Sequence, residues 1–273
     1  MLRVLGLMAE IKTQKKLKKQ IDIELLRLQD QYNIKILYAI ESGSRAWGFA
    51  STDSDWDVRF IYVYHPDWYL SIDDKKDNME EILPSNIDLA GWELRKALKL
   101  FRKSNPPLLE WLRSPLIYVE RFSTADKLRQ LTKEFFNPKS CMYHYFYMAQ
   151  GNYRDYLQKD IVRVKKYFYV LRPILACKWI EQTNTMAPME FQKLIDSQVS
   201  GQKLKKEIDR LLSRKIKGEE LDKEPKIQIL NDFIEKEIEY FNQKLKGYKI
   251  DKQPDTEKLN NLFRETLTEV WEM

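Results

Sequence analysis

Residues 43–57 read Gly-Ser-Arg-Ala-Trp-Gly-Phe-Ala-Ser-Thr-Asp-Ser-Asp-Trp-Asp, and they constrain the chain more than any other stretch. An apolar run, Ile36-Leu37-Tyr38-Ala39-Ile40, precedes them. A second, Val58-Arg59-Phe60-Ile61-Tyr62-Val63-Tyr64, follows. Both are short and rich in β-branched and aromatic residues, so they read as strands over residues 34–41 and 55–64. Side chains at i and i+2 of a strand share a face, which sets Asp55 beside Asp57, about 7 Å along the chain. Two such carboxylates repel and lose hydration unless a cation joins them. A divalent ion that takes hard oxygen ligands, Mg²⁺ or Mn²⁺, meets that need. Arg59 lies on the same face, where two roles are open: binding a phosphate or balancing the carboxylates.

Gly43 and Ser44 fit a different task. A helix starting near Ser44 offers free backbone N–H groups to a phosphate. Gly43 lets the backbone come close, the Ser44 hydroxyl can donate, and Arg45 can add a charge-assisted contact.

The whole pattern resembles the signature of the DNA polymerase β-like nucleotidyltransferases. That signature is a Gly-Ser pair, a spacer of about ten residues, and Asp-hydrophobic-Asp-hydrophobic; here it is Gly43-Ser44 and Asp55-Trp56-Asp57-Val58. One branch, linked to RNA ligases and RNA repair, is closer still. Its likeness is carried by Gly43 to Gly48, Ser54 to Arg59, Asp88-Leu89-Ala90-Gly91-Trp92-Glu93, Ser104-Asn105-Pro106-Pro107, Gly151-Asn152-Tyr153-Arg154 and Lys166 to Pro173, and runs from about residue 34 to about 245. The resemblance implies a third carboxylate on a later strand, for which Asp88 is the candidate. It also implies metal-dependent transfer of an NMP from an NTP to an acceptor hydroxyl, with an RNA or tRNA end as acceptor. Protein or small-molecule nucleotidylation, and nucleotide binding without turnover, are the alternatives.

The expected fold class is α+β: a small catalytic sheet domain over residues 1–122 with an N-terminal helix, then a helical domain over 123–273 that completes the cleft. Leu17, Ile21, Leu25 and Leu28 make one apolar stripe on a helix over 8–32, with Lys12, Lys15, Lys16, Lys18 and Lys19 on the other side. Residues 73–81 read as a loop or hairpin tip, 91–103 as a helix, 150–182 as one long or kinked helical region, and 189–218, 225–246 and 255–272 as helices. Within the second region Lys165, Tyr169 and Arg172 fall at i, i+4 and i+7, with Lys166 beside them. The basic and aromatic face so formed is a candidate nucleotide-binding surface.

The net charge is +6, and nearly all of the excess falls after residue 122. This suits a polyanionic partner without requiring one. Two cysteines at unpaired spacing fit a reducing, cytoplasmic setting, and no apolar run is long enough to span a bilayer. There is no Walker loop, dinucleotide fingerprint or nucleophile elbow, and His65 and His144 form no pair by spacing.

Overall fold

The computed structural model describes residues 2–84, 86–247 and 254–272, with side chains from Lys16 onward. Lys12 and Lys15 of the first basic cluster therefore lie outside the described side chains. In chain order the first half is α1 (Leu2–Tyr32), β1 (Ile34–Glu41), α2 (Gly43–Ala46), β2 (Trp56–Tyr64), α3 (Pro66–Tyr69), β3 (Asn78–Leu83), β4 (Ile87–Glu93), α4 (Leu94–Arg102), α5 (Pro106–Trp111) and β5 (Ile117–Glu120). The rest is α6 (Thr124–Phe135), α7 (Pro138–Tyr156), β6 (Ile161–Arg163), α8 (Lys166–Thr183), α9 (Phe191–Gln198), α10 (Gln202–Ile216), β7 (Lys223–Pro225), α11 (Gln228–Leu245) and α12 (Glu257–Trp271). The chain is α+β, as its sequence pattern implies.

Five strands form one mixed sheet in the order β3-β4-β2-β1-β5. β2 and β4 are parallel; β1 is antiparallel to both β2 and β5. The central strands are mostly apolar because both faces are covered, with the charged residues gathered towards their ends. On one face Ile21, Leu25 and Leu28 of α1 pack against Ile36, Val58, Phe60, Tyr62 and Leu89. On the other, Leu37, Ile61 and Val63 join a larger core that includes α4, α7 and α8 and reaches Val270 of α12. Residues on both sides of position 122 thus share one core. Strand alternation puts Asp57 and Arg59 on the same side as Ile61 and Val63, so the polar end of β2 faces the helical half.

Four boundaries differ from the sequence pattern. The stretch 150–182 is two helices: α7 ends at Tyr156, and Ile161–Arg163 pairs with Lys223–Pro225 as a two-stranded ribbon. Helical periodicity cannot reveal a strand of three residues whose partner is 60 positions away. Residues 78–83, read partly as loop, are the edge strand β3. The helix expected from Gly91 starts at Leu94, because the Glu93 carboxylate accepts from the Arg95 and Lys96 N–H groups and caps it. The helix over 189–218 is split at Gly201 into α9 and α10. Pro173 lies inside α8, as expected, and has no N–H to give the Tyr169 carbonyl. Both cysteines are buried and free. No described helix is long and apolar enough to cross a membrane.

Candidate active site

The parallel pairing of β2 and β4 sets Asp57 directly opposite Asp88. Arg59 joins them: one guanidinium nitrogen donates to Asp57 Oδ1 at 2.8 Å and to Asp88 Oδ2 at 2.7 Å. A single nitrogen reaches both, so the two carboxylates are near enough to share one cation. Of the two roles open to Arg59, the structure shows the balancing one. Asp55 is exposed just before β2. Burial pushes the Asp57 carboxyl upward; Arg59 opposes that rise, while Asp88 and Asp55 add to it. Among the described residues no three His, Cys, Asp or Glu side chains already close on one point. Hard oxygen donors that still repel, held together by one guanidinium, fit an added Mg²⁺ or Mn²⁺.

The Gly-Ser turn leans on this pair. Gly43 has φ +59°, and a Cβ placed there would sit 2.0 Å from Asp57 Oδ2 and 2.8 Å from Asp57 Cγ. Only glycine allows this approach. Ser42 N–H donates to the Asp57 carbonyl at 2.8 Å and ties the turn to β2. The Ser44 hydroxyl makes no hydrogen bond within the described residues. Arg45 turns back on its own loop. Its Nε donates to the Asp55 carbonyl at 3.1 Å and its Nη2 to the Ser54 carbonyl at 2.7 Å, and it stacks 3.8 Å over the Trp56 ring. It braces the segment that delivers Asp55.

Two residues outside the sequence motifs, Glu41 and Lys215, hold the site from behind. Glu41, fully buried at the end of β1, accepts from the Asp57 N–H at 3.0 Å and from the Tyr118 hydroxyl at 2.5 Å. Burial pushes its carboxyl up to about 7. The available signal was a lone acid ending an apolar strand. Lys215, at the end of α10, donates to Ser51 Oγ at 2.8 Å and lies 3.4 Å from Ser54 Oγ. Nothing local in the sequence announces a contact across 164 residues.

The helical half meets the site through α8. Tyr169 is 46 % exposed, and its hydroxyl pKa is raised by burial and by the charges of Asp57 and Asp55. Its ring meets Trp47 edge-on at 6.3 Å. The Lys166 ammonium lies 4.9 Å from the Tyr169 ring and 4.3 Å from that of Tyr156. Arg172 is only 3 % exposed. It pairs with Glu110 at 2.9 Å and stacks 4.4 Å over Trp47, which caps the C-terminal end of α2. Along this face Arg172 turns inward onto Trp47 while Tyr169 stays half exposed, and Phe191 N–H also binds the Trp47 carbonyl at 2.9 Å.

Residues 17–265 match the sequence profile of the family described as "RNA repair pathway DNA polymerase beta family" (RlaP). The chain is 52% identical over 256 residues to the uncharacterized protein YcgL of Bacillus subtilis (strain 168), covering 94% of this chain and 98% of that one. A solved nucleotidyltransferase-like protein from Exiguobacterium sibiricum 255-15 is 10% identical, with a TM-score of 0.30 over 80% of this chain and 74% of the other. The profile match spans the carboxylates, the Gly-Ser turn and the helices that cover them, and the chain belongs to the RNA repair pathway DNA polymerase beta family.

Proposed function

We propose that this protein is a metal-dependent nucleotidyltransferase that moves an NMP from an NTP to a hydroxyl at an RNA end. The observation that carries the reading is Asp57 facing Asp88 across parallel strands, with Asp55 two residues earlier and Gly43 pressed against Asp57. Asp55, Asp57 and Asp88 would hold the Mg²⁺ or Mn²⁺ ions. When bound, these stabilise the negative charge that grows on the attacking and leaving oxygens.

The remaining work falls to the chain itself. Gly43 and Ser44 receive the triphosphate, with the free Ser44 hydroxyl as donor. Arg45 keeps Asp55 in reach through the two carbonyls it binds. Arg59 neutralises Asp57 and Asp88 until the metal enters. Lys166 and Tyr169 meet the nucleotide from the helical side, and Arg172 acts through Trp47 to fix the turn. The description of the family supports the RNA acceptor.

The test is transfer of label from each α-labelled NTP, with Mg²⁺ or Mn²⁺, to total cellular RNA or to protein. Label in the RNA fraction that falls at least about a thousandfold in Asp57→Asn supports the reading. Full transfer by Asp57→Asn removes the site assignment, and label confined to protein removes the RNA acceptor.

A further inference from the structure

The β6–β7 ribbon has a charge arrangement that folding alone does not explain. Arg163 and Lys223 are directly opposed in its register. Like charges at opposed positions destabilise a strand pair. Lys165 and Lys166 follow at once, at the start of α8, where the first turn contains no acidic residue. The positive end of the helix dipole adds to the repulsion there. Neighbouring acids are committed elsewhere: Glu224 to Arg214 at 2.5 Å and Asp160 to Lys226 at 3.0 Å. Asp222 lies opposite Val164, which alternation assigns to the other face of the ribbon. Arg163, Lys165 and Lys223 make no side-chain hydrogen bond or ion pair among the described residues, and all three are exposed. With Lys166 beside them, they form a cluster of four cations around one opposed pair, with no paired anion among the described residues.

This cluster is joined to the active site. Lys166 touches the exposed ring of Tyr169, and Tyr169 in turn meets Trp47 at the end of α2. Burial, and secondarily the charges of Lys165 and Arg163, lower the Lys166 ammonium pKa.

We infer that Arg163, Lys165 and Lys223 bind the phosphate backbone of a single-stranded RNA acceptor and lead its end past Lys166 and Tyr169 to the carboxylates. The inference rests on the proposed RNA acceptor. The triphosphate has its seat on the sheet side, at Gly43 and Ser44, which leaves the other polyanion of the reaction for the ribbon.

The experiment uses a fluorescent single-stranded RNA oligonucleotide, titrated by anisotropy across a salt series with the wild type and with Arg163→Glu/Lys223→Glu. NTP binding in the presence of Mg²⁺ and transfer of label to RNA are measured in parallel. The double variant is expected to lose at least about tenfold in RNA affinity. Its log–log salt slope should be shallower by about 1.4, two phosphates at 0.7 each, with NTP binding unchanged. Lys223→Glu alone sets opposite charges face to face, so it should lose RNA affinity while Tm stays level or rises; a residue serving the fold would lower Tm. Unchanged RNA affinity and slope, in a protein whose wild type labels RNA, overturns the inference and leaves the proposed function standing. Lost NTP binding with intact RNA affinity reassigns the cluster to the triphosphate and also overturns it. A wild type that neither binds nor labels RNA overturns the acceptor reading and this inference with it.

Discussion

Replacing Gly43 with alanine separates the two demands made on that position. The first is backbone conformation: at φ +59° an L-residue costs about 1–2 kcal/mol. The second is space. The new Cβ would meet Asp57 Oδ2 at 2.0 Å, Cγ at 2.8 Å and Cβ at 3.3 Å. The oxygen can swing aside, but Cγ must move as well, so Asp57 leaves its rotamer and loosens its bond to Arg59. For a partly screened ion pair that adds about 1 kcal/mol or less. Gly48 supplies the control, because its φ is +85° and an added Cβ meets nothing within 4 Å. Gly48→Ala should therefore destabilise by about 1–2 kcal/mol and Gly43→Ala by about 2–3 kcal/mol, read from urea unfolding at constant m. The larger separation is in turnover. A carboxylate displaced by about an ångström costs on the order of a hundredfold, so nucleotidyl transfer should collapse in Gly43→Ala and persist in Gly48→Ala. If the two variants match in stability and in transfer, the close approach of the turn to Asp57 does not govern the site.

Three other outcomes follow from the same geometry. The Glu41 carboxyl, pushed up to about 7 by burial, keeps its proton in the folded state over a range where the unfolded chain has lost it. Folded stability should therefore fall as pH rises from about 4.5 to about 7, by about 3 kcal/mol. Glu41→Gln keeps both hydrogen bonds once the Tyr118 hydroxyl turns to accept, so it should abolish that decline in metal-free urea titrations; an undiminished decline refutes the assignment. Arg59→Met leaves Asp57 and Asp88 to repel, so it should lower Tm without metal and show a larger rise in Tm on adding Mg²⁺ than the wild type; equal rises would show that Arg59 is not holding the place of a cation. Lys215→Met frees Ser51 and Ser54, so amide exchange should quicken across residues 50–55 and kcat should fall about tenfold, with unfolding free energy changed by less than about 1 kcal/mol. Unchanged exchange in that loop argues against the latch.

The strands around residues 43–57 were legible because their evidence is local: an apolar run, a glycine turn and two acids at a spacing of two. Asp88 was legible only through resemblance, and its partner on β2 came from the parallel register, which no local pattern encodes. Arg172 shows the limit of periodicity. Spacing set it on one helix face with Tyr169, but could not tell that Glu110 and Trp47 would bury the Arg172 end of that face. Glu41 was hidden in plain view, since an acid at the end of a strand is ordinarily solvated. Lys215 and the β6–β7 ribbon depend on contacts between distant segments, where a few residues carry no period of their own.

The unbroken core from β1 to α12 also bears on how the protein comes off the ribosome. β5 completes the five-stranded sheet by pairing Ala39 with Val119, so the sheet can close once about 120 residues have emerged. At that moment Leu37, Ile61 and Val63 have α4 and α5 in their core but still lack α7 and α8. Translation of the remaining half, at about 5–20 residues per second, takes on the order of ten to thirty seconds. Through that interval the nascent chain presents a finished sheet with one oily side only partly covered, which is a natural substrate for a ribosome-associated chaperone. A fragment ending near residue 122 would keep that surface permanently, so its fate is aggregation rather than independent catalysis.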